Sequence, residues 1–148
     1  MPANLQPPLA LVGRVLLALM FVLAGLSKLT GFGGTVGYIA SQGLPVPSLL
    51  TAASIVLELG GGIALMLGWQ ARGVALAMGL FTLVVSFIFH PFWAVPAEQH
   101  MVVQLLFMKN ISVAGGMFLV AALGAGPLSL DARRAAATAI GRLTGRTA

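Results

Sequence analysis

LALVGRVLLALMFVLAGLSKL, residues 9–29, is the stretch that decides the fold: its only charges are Arg14 and Lys28. A helix of about 20 apolar residues, rising about 1.5 Å per residue, crosses the roughly 30 Å hydrocarbon core of a bilayer. Pro7-Pro8 opens the stretch and Gly31 closes it. Three further runs have the same character: 48–67 between Pro47 and Gly68, 72–89 stopping at His90-Pro91, and 101–123 stopping at Gly124 and Pro127. All are long and unbroken, without the alternation of a membrane barrel. The expectation is all-α: one domain, 1–148, built as a polytopic bundle of four transmembrane helices.

Composition points the same way. Hydrophobic residues make up 59% of the chain and charged ones 7%, whereas a soluble domain carries about 25% charge on its surface. Lipid is the solvent this chain implies. With no cysteine, disulfides, thiolate metal sites, iron–sulfur clusters and c-type haem are excluded. The net charge of +5 does not imply nucleic acid, because Arg133, Arg134, Arg142 and Arg146 gather in the basic tail, 124–148. Such a cluster beside a span marks a cytoplasmic membrane flank.

Four spans place both termini and the turn at 68–71 on one side. That side collects Arg72 and the tail arginines, so both termini are expected in the cytoplasm, in the manner of a multi-pass bacterial inner-membrane protein. The connections at 30–46 and 90–100 then face outward. The first contains a short interfacial helix around 36–40, and the second holds both histidines, His90 and His100. A rival reading takes Arg14 and the run to Val22-Leu23-Ala24 as a signal peptide cleaved after Ala24, leaving three spans; Lys28 directly after the apolar run argues against it.

Each span carries its small and polar residues on one stripe: Arg14, Ala18, Phe21, Gly25 and Lys28; Thr51, Ser54, Glu58, Gly61 and Gly62; Arg72, Ala75, Gly79, Thr82, Ser86 and His90; Lys109, Ser112 and Gly116. Such stripes face one another in a membrane bundle. Counted along their own helices, Glu58 lies about 15 Å deep and Lys109 about 11 Å deep, within mutual reach. An unpaired charge there costs at least about 2.5–3.5 kcal/mol. The expected buried network is therefore Glu58 with Lys109, and Arg14 as the other possible partner, while Lys28 snorkels to the boundary. Two readings of it stand open, a pair that fixes helix register or a site that meets a ligand.

In the outer half, Lys109 and Asn110 are expected to floor an outward pocket, with His90 and Trp93 on its wall and Lys28 at its rim. An excess of cations would favour an anionic or quinone headgroup. Two histidines and Glu98 can also hold a metal or haem b, although interfacial placement is the commoner use of such residues. No cofactor is required by the residues. The chain has no phosphate loop, nucleophile triad or acidic dyad, so catalysis by this chain alone is not expected.

Gly13-Arg14, Ala24-Gly25-Leu26-Ser27-Lys28-Leu29, Gly43-Leu44-Pro45-Val46-Pro47, Glu58-Leu59-Gly60-Gly61-Gly62, Leu67-Gly68, His90-Pro91-Phe92-Trp93, Phe107-Met108-Lys109-Asn110, Gly115-Gly116 and Leu128-Ser129-Leu130-Asp131 follow one another in order. In that order and spacing, from 12 to 131, the chain resembles the DoxX family of small bacterial membrane proteins. His100 departs from the family pattern, so only His90 carries motif status. The resemblance implies proximity to redox chemistry, since the family takes its name from a subunit associated with thiosulfate–quinone oxidoreductase. The leading expectation is thus an accessory subunit of a membrane redox or oxidative-stress complex, with redox subunits or further copies of itself as partners beside the lipid. The alternative is a carrier or receptor for an anionic or quinone-like small molecule.

Overall fold

The computed structural model describes residues 3–143 and Gly145; Arg146 of the tail lies outside them. Four helices are long and apolar enough to span a membrane: Gln6–Thr30, Pro47–Leu67, Ala71–Ala94 and Ala97–Leu123. The third is α-helical over Ala71–Phe89 and ends in a single 3-10 turn, Phe92–Ala94. A loop helix, Phe32–Ser41, joins the first two spans, and a tail helix, Leu130–Leu143, follows the fourth. No strand occurs among the described residues.

The helix ends sit where the chain chemistry puts them. Proline stands in the first turn of the first and second spans, where its missing N–H would have no helical partner anyway. Gly68, at φ 67°, closes the second span, the left-handed position that glycine fills without a Cβ penalty. The fourth span begins at Ala97. Glu98 and His100 therefore belong to its first turn and not to a loop.

Close approach sets the register. A Cβ on Gly25 would lie 2.8 Å from the Leu59 backbone nitrogen, and one on Gly62 would lie 2.8 Å from Val22 Cγ2. The first two spans therefore run antiparallel with 25 beside 59 and 22 beside 62, the small-residue packing typical of membrane helices. On the same register Thr30, the end of the first span, falls near Ser54, about two turns inside the start of the second. Those two extra turns are covered by the loop helix.

The third and fourth spans pair as extensively as the first two, with Gly79 against Phe118. The core where the four meet comprises Ala18, Phe21, Leu65, Ala71, Ala75, Met78, Met117 and Ala125. Leu16, Val56, Val84, Leu105 and Leu119 point outward, the inside-out surface expected in lipid.

The tail, which the sequence leaves as either a short amphipathic or a disordered basic segment, is helical over Leu130–Leu143 and bonded to the bundle. Asp131 accepts hydrogen bonds from the Gln70 and Ala71 N–H groups at 2.8 and 2.9 Å, and its own N–H donates to the Gly68 carbonyl. One side chain thus satisfies the first donors of the third span from about sixty residues away, the service an N-cap residue usually performs locally.

Candidate functional site

The second and third spans leave their shared turn in contact, with Gly61 against Met78 and Val74, and diverge toward the opposite end. The gap between the halves away from that turn is a cavity of about 510 Å³, roofed by the loop helix. Leu50, Ala53, Leu57, Phe81, Val85 and Ile88 make it predominantly apolar. Tyr38 and Val84 stand at its edge, 51% and 56% exposed, so its mouth opens where the helices meet lipid.

Lys28 and Glu58 line this cavity, Nζ to Oε2 2.5 Å, with side chains 28% and 8% exposed. Glu58 occupies a π-helical turn, Val56–Gly60, within the second span. A π turn inserts one residue into the α-helical count and re-aims a side chain, a feature frequent at functional sites. The turn itself packs on the first span through Leu59 against Gly25, and Gly62, just beyond it, continues that contact at Val22. His90 and Tyr38 are the other ionisable side chains on the wall, and Thr35 and Ser54 add hydroxyls. Ser54 donates to Thr51 O at 2.8 Å, which leaves its oxygen free to accept.

Several expectations are corrected here. Glu58 pairs with Lys28, not with Lys109 or Arg14. Counting depth separately along each helix assumed that all spans start at one level; the Gly25–Leu59 contact sinks the end of the first span and brings Lys28 to Glu58. Lys109 is exposed and Asn110 is buried in the bundle, and neither lines the cavity. Trp93 stands outside it in an aromatic group, its ring centroid 5.0 Å from Phe92, 5.8 Å from Phe107 and 6.1 Å from Phe87. Of the five residues expected around a pocket, the structure brings Lys28 and His90 together. Tyr38, Leu50 and Phe81 were missed, though an aromatic on a Gly-rich connection was a visible signal for Tyr38. His100 packs edge-on against Phe92 at 5.5 Å, and the described residues hold no group of three His, Asp or Glu able to hold a metal.

Arg14 works at the other end of the molecule. It is 2% exposed and donates to the carbonyls of Ala125, Met66 (3.2 Å) and Leu128 (2.9 Å). Arg72 likewise donates to the carbonyls of Ala121, Ala122 and Leu123, closing the fourth span. The bonds to Met66 and to Ala121, Ala122 and Leu123 satisfy orphan acceptors of helix C-termini, while Ala125 and Leu128 belong to the connection that follows the fourth span.

The DoxX family profile matches residues 9–91. Inner membrane protein YphA of Escherichia coli K12 is 36% identical over 128 residues, 86% of this chain and 91% of that protein. Inner membrane protein YqjF of the same organism is 40% identical over 121 residues, 82% of this chain and 88% of its own length. The chain belongs to the DoxX family. A more distant similarity, 24% over 126 residues, links it to 34% of the ER-derived vesicles protein ERV29 of Saccharomyces cerevisiae. No solved structure matches.

This DoxX protein is a small inner-membrane protein, and its motif residues divide between the two ends. Arg14, Gly68, Ser129 and Asp131 build the end that carries the termini. Lys28, Glu58 and His90 converge on the cavity at the loop end.

Proposed function

We propose that this DoxX protein binds a small, largely apolar molecule with a neutral polar head, admitted sideways from the bilayer into the loop-end cavity. The observation that carries this reading is the ion pair Lys28–Glu58 on the wall of a predominantly apolar cavity of about 510 Å³. That volume falls in the roughly 300–1,000 Å³ range of small-molecule sites, which pair apolar walls with a few placed polar groups. Glu58 matches the charge of Lys28, so the pair offers donors and an acceptor without net charge. A quinone-like head, flat and uncharged, suits it better than an anion. Lys28 keeps N–H donors for a carbonyl, while Phe81 and Phe89 offer ring faces. The accessory-subunit role takes second place, because the polar groups that would meet a partner turn inward.

Ala53 lines the cavity and takes no part in the Lys28–Glu58 bond. The wild-type protein in nanodiscs should bind a short-chain ubiquinone analogue. The Ala53→Trp variant, which fills the space, should weaken binding at least about tenfold, equivalent to ~1.4 kcal/mol. Equal binding by both proteins overturns the assignment, as does the absence of any co-purifying small molecule other than bulk lipid in the native extract.

We assign the termini to the cytoplasm, since Arg14, Arg72, Arg133, Arg134 and Arg142 gather at that end against Lys28 and Lys109 toward the other. Reporter fusions at Gln42 and Gln99 should read periplasmic and one after Arg146 cytoplasmic. The opposite pattern reverses the orientation.

A further inference from the structure

A second cavity, about 430 Å³, opens at the terminal end and is lined by Leu11, Arg14, Met66, Leu128, Ser129 and Arg133, among others. Two arginines line it, and among the described residues no acidic one does. The nearest acid in sequence, Asp131, lines the neighbouring cavity and engages both oxygens with the Gln70 and Ala71 N–H groups. Arg14 is 2% exposed, yet its Nε–H has no hydrogen-bond partner among the described residues. The hydrogen bonds of Arg14 go to carbonyls alone, and the acid whose charge acts on it, Asp131, is bonded to backbone N–H groups instead, so a guanidinium with a donor left over keeps room for an anion.

The position matches a headgroup layer. Trp69, with the Arg134 guanidinium 5.9 Å from its ring centroid, stands in the adjoining turn, and tryptophan settles at the membrane–water interface. Leu67 and Leu128, 53% and 50% exposed, continue the cavity wall toward the apolar surface. We infer that this cavity takes a phosphate group, held between Arg14 and Arg133, and that the apolar rim suits a phospholipid carrying net negative charge. Arginine forks match phosphate oxygens in geometry as well as charge.

Native mass spectrometry of the full chain in detergent tests this with three probes: phosphatidylglycerol, phosphatidylcholine and inorganic phosphate. Phosphatidylglycerol should occupy the protein several-fold above phosphatidylcholine and resist millimolar inorganic phosphate. Arg133 is exposed, so Arg133→Gln should fold normally and lower phosphatidylglycerol occupancy about fivefold, the effect of one basic residue at an anionic surface. Arg142→Gln, on the same helix but away from the cavity, should leave it unchanged. Equal retention of both lipids, no effect of Arg133→Gln, or equal losses in the two variants overturns the site. Displacement by inorganic phosphate at matched concentration overturns the lipid source and assigns the cavity to free phosphate.

Discussion

The two ends of the bundle use charged residues in opposite ways. At the terminal end, Arg14, Arg72 and Asp131 bond to backbone groups, and every one of these bonds crosses between segments distant in sequence. The end is closed by them. At the loop end, Lys28 and Glu58 bond to each other on a cavity wall, and among the described residues no backbone group is bonded to either side chain. A buried charge that satisfies backbone is part of the fold. A buried pair that satisfies only itself, beside open space, is available to something else. Depth in the membrane does not separate these roles; the partner does.

The largest effect should follow removal of Arg14. Arg14→Met keeps the bulk of the side chain but strips the donors from the Ala125, Met66 and Leu128 carbonyls. Each orphaned buried acceptor costs about 1–3 kcal/mol, so a total of several kcal/mol is expected, read as a collapse of thermal stability in detergent. A near-neutral result would remove the contrast between the two ends, since Arg14 would then be as dispensable to the fold as the loop-end pair.

A smaller loss should accompany Glu58→Gln. Lys28 lies two residues from the end of its span and its side chain is 28% exposed, so once released it can turn toward the interface. Stability should fall by roughly 1–2 kcal/mol, well below the 3–5 kcal/mol of breaking a fully buried pair. Binding of the quinone analogue should fall more steeply than stability. If stability falls as far as in Arg14→Met while binding holds, the loop-end pair is a structural element and the comparison fails.

Most of the fold was legible in the sequence because length, apolarity and proline or glycine breaks act locally. Pro47, Gly68 and Gly124 each mark a helix end that needs no tertiary information. The site was legible only in part. Lys28, Glu58 and His90 stood out as polar residues inside spans, but the relative height of two helices depends on where their notches meet. Gly25 against Leu59 is a contact between distant segments, invisible to a count along either one. The π turn at Val56–Gly60 is equally hidden, since it shifts the facing of Glu58 without altering composition. The apolar cavity wall was missed for a simpler reason: leucine, valine and phenylalanine look alike whether they line a cavity, a core or lipid.

The smallest expected effect concerns the pair that the sequence suggested and the structure separates. Lys109 sits on the exposed side of the fourth span, and Glu58 is already bonded to Lys28. Residues without contact or shared partners give stability changes that add within about 0.3–0.5 kcal/mol. In a double-mutant cycle, Glu58→Gln with Lys109→Met should therefore show no coupling beyond that margin, while Glu58→Gln with Lys28→Met should show coupling well above it. The two cycles share one variant and one assay, so a misfolded Glu58→Gln protein would distort both alike and could not imitate the difference. Coupling to Lys109 that equals or exceeds coupling to Lys28 would mean that the fourth span, and not the first, supplies the partner of Glu58, against the placement of Lys28 by the Gly25 and Gly62 contacts. The cavity would then lose its polar floor, and with it the reason to place a ligand head there.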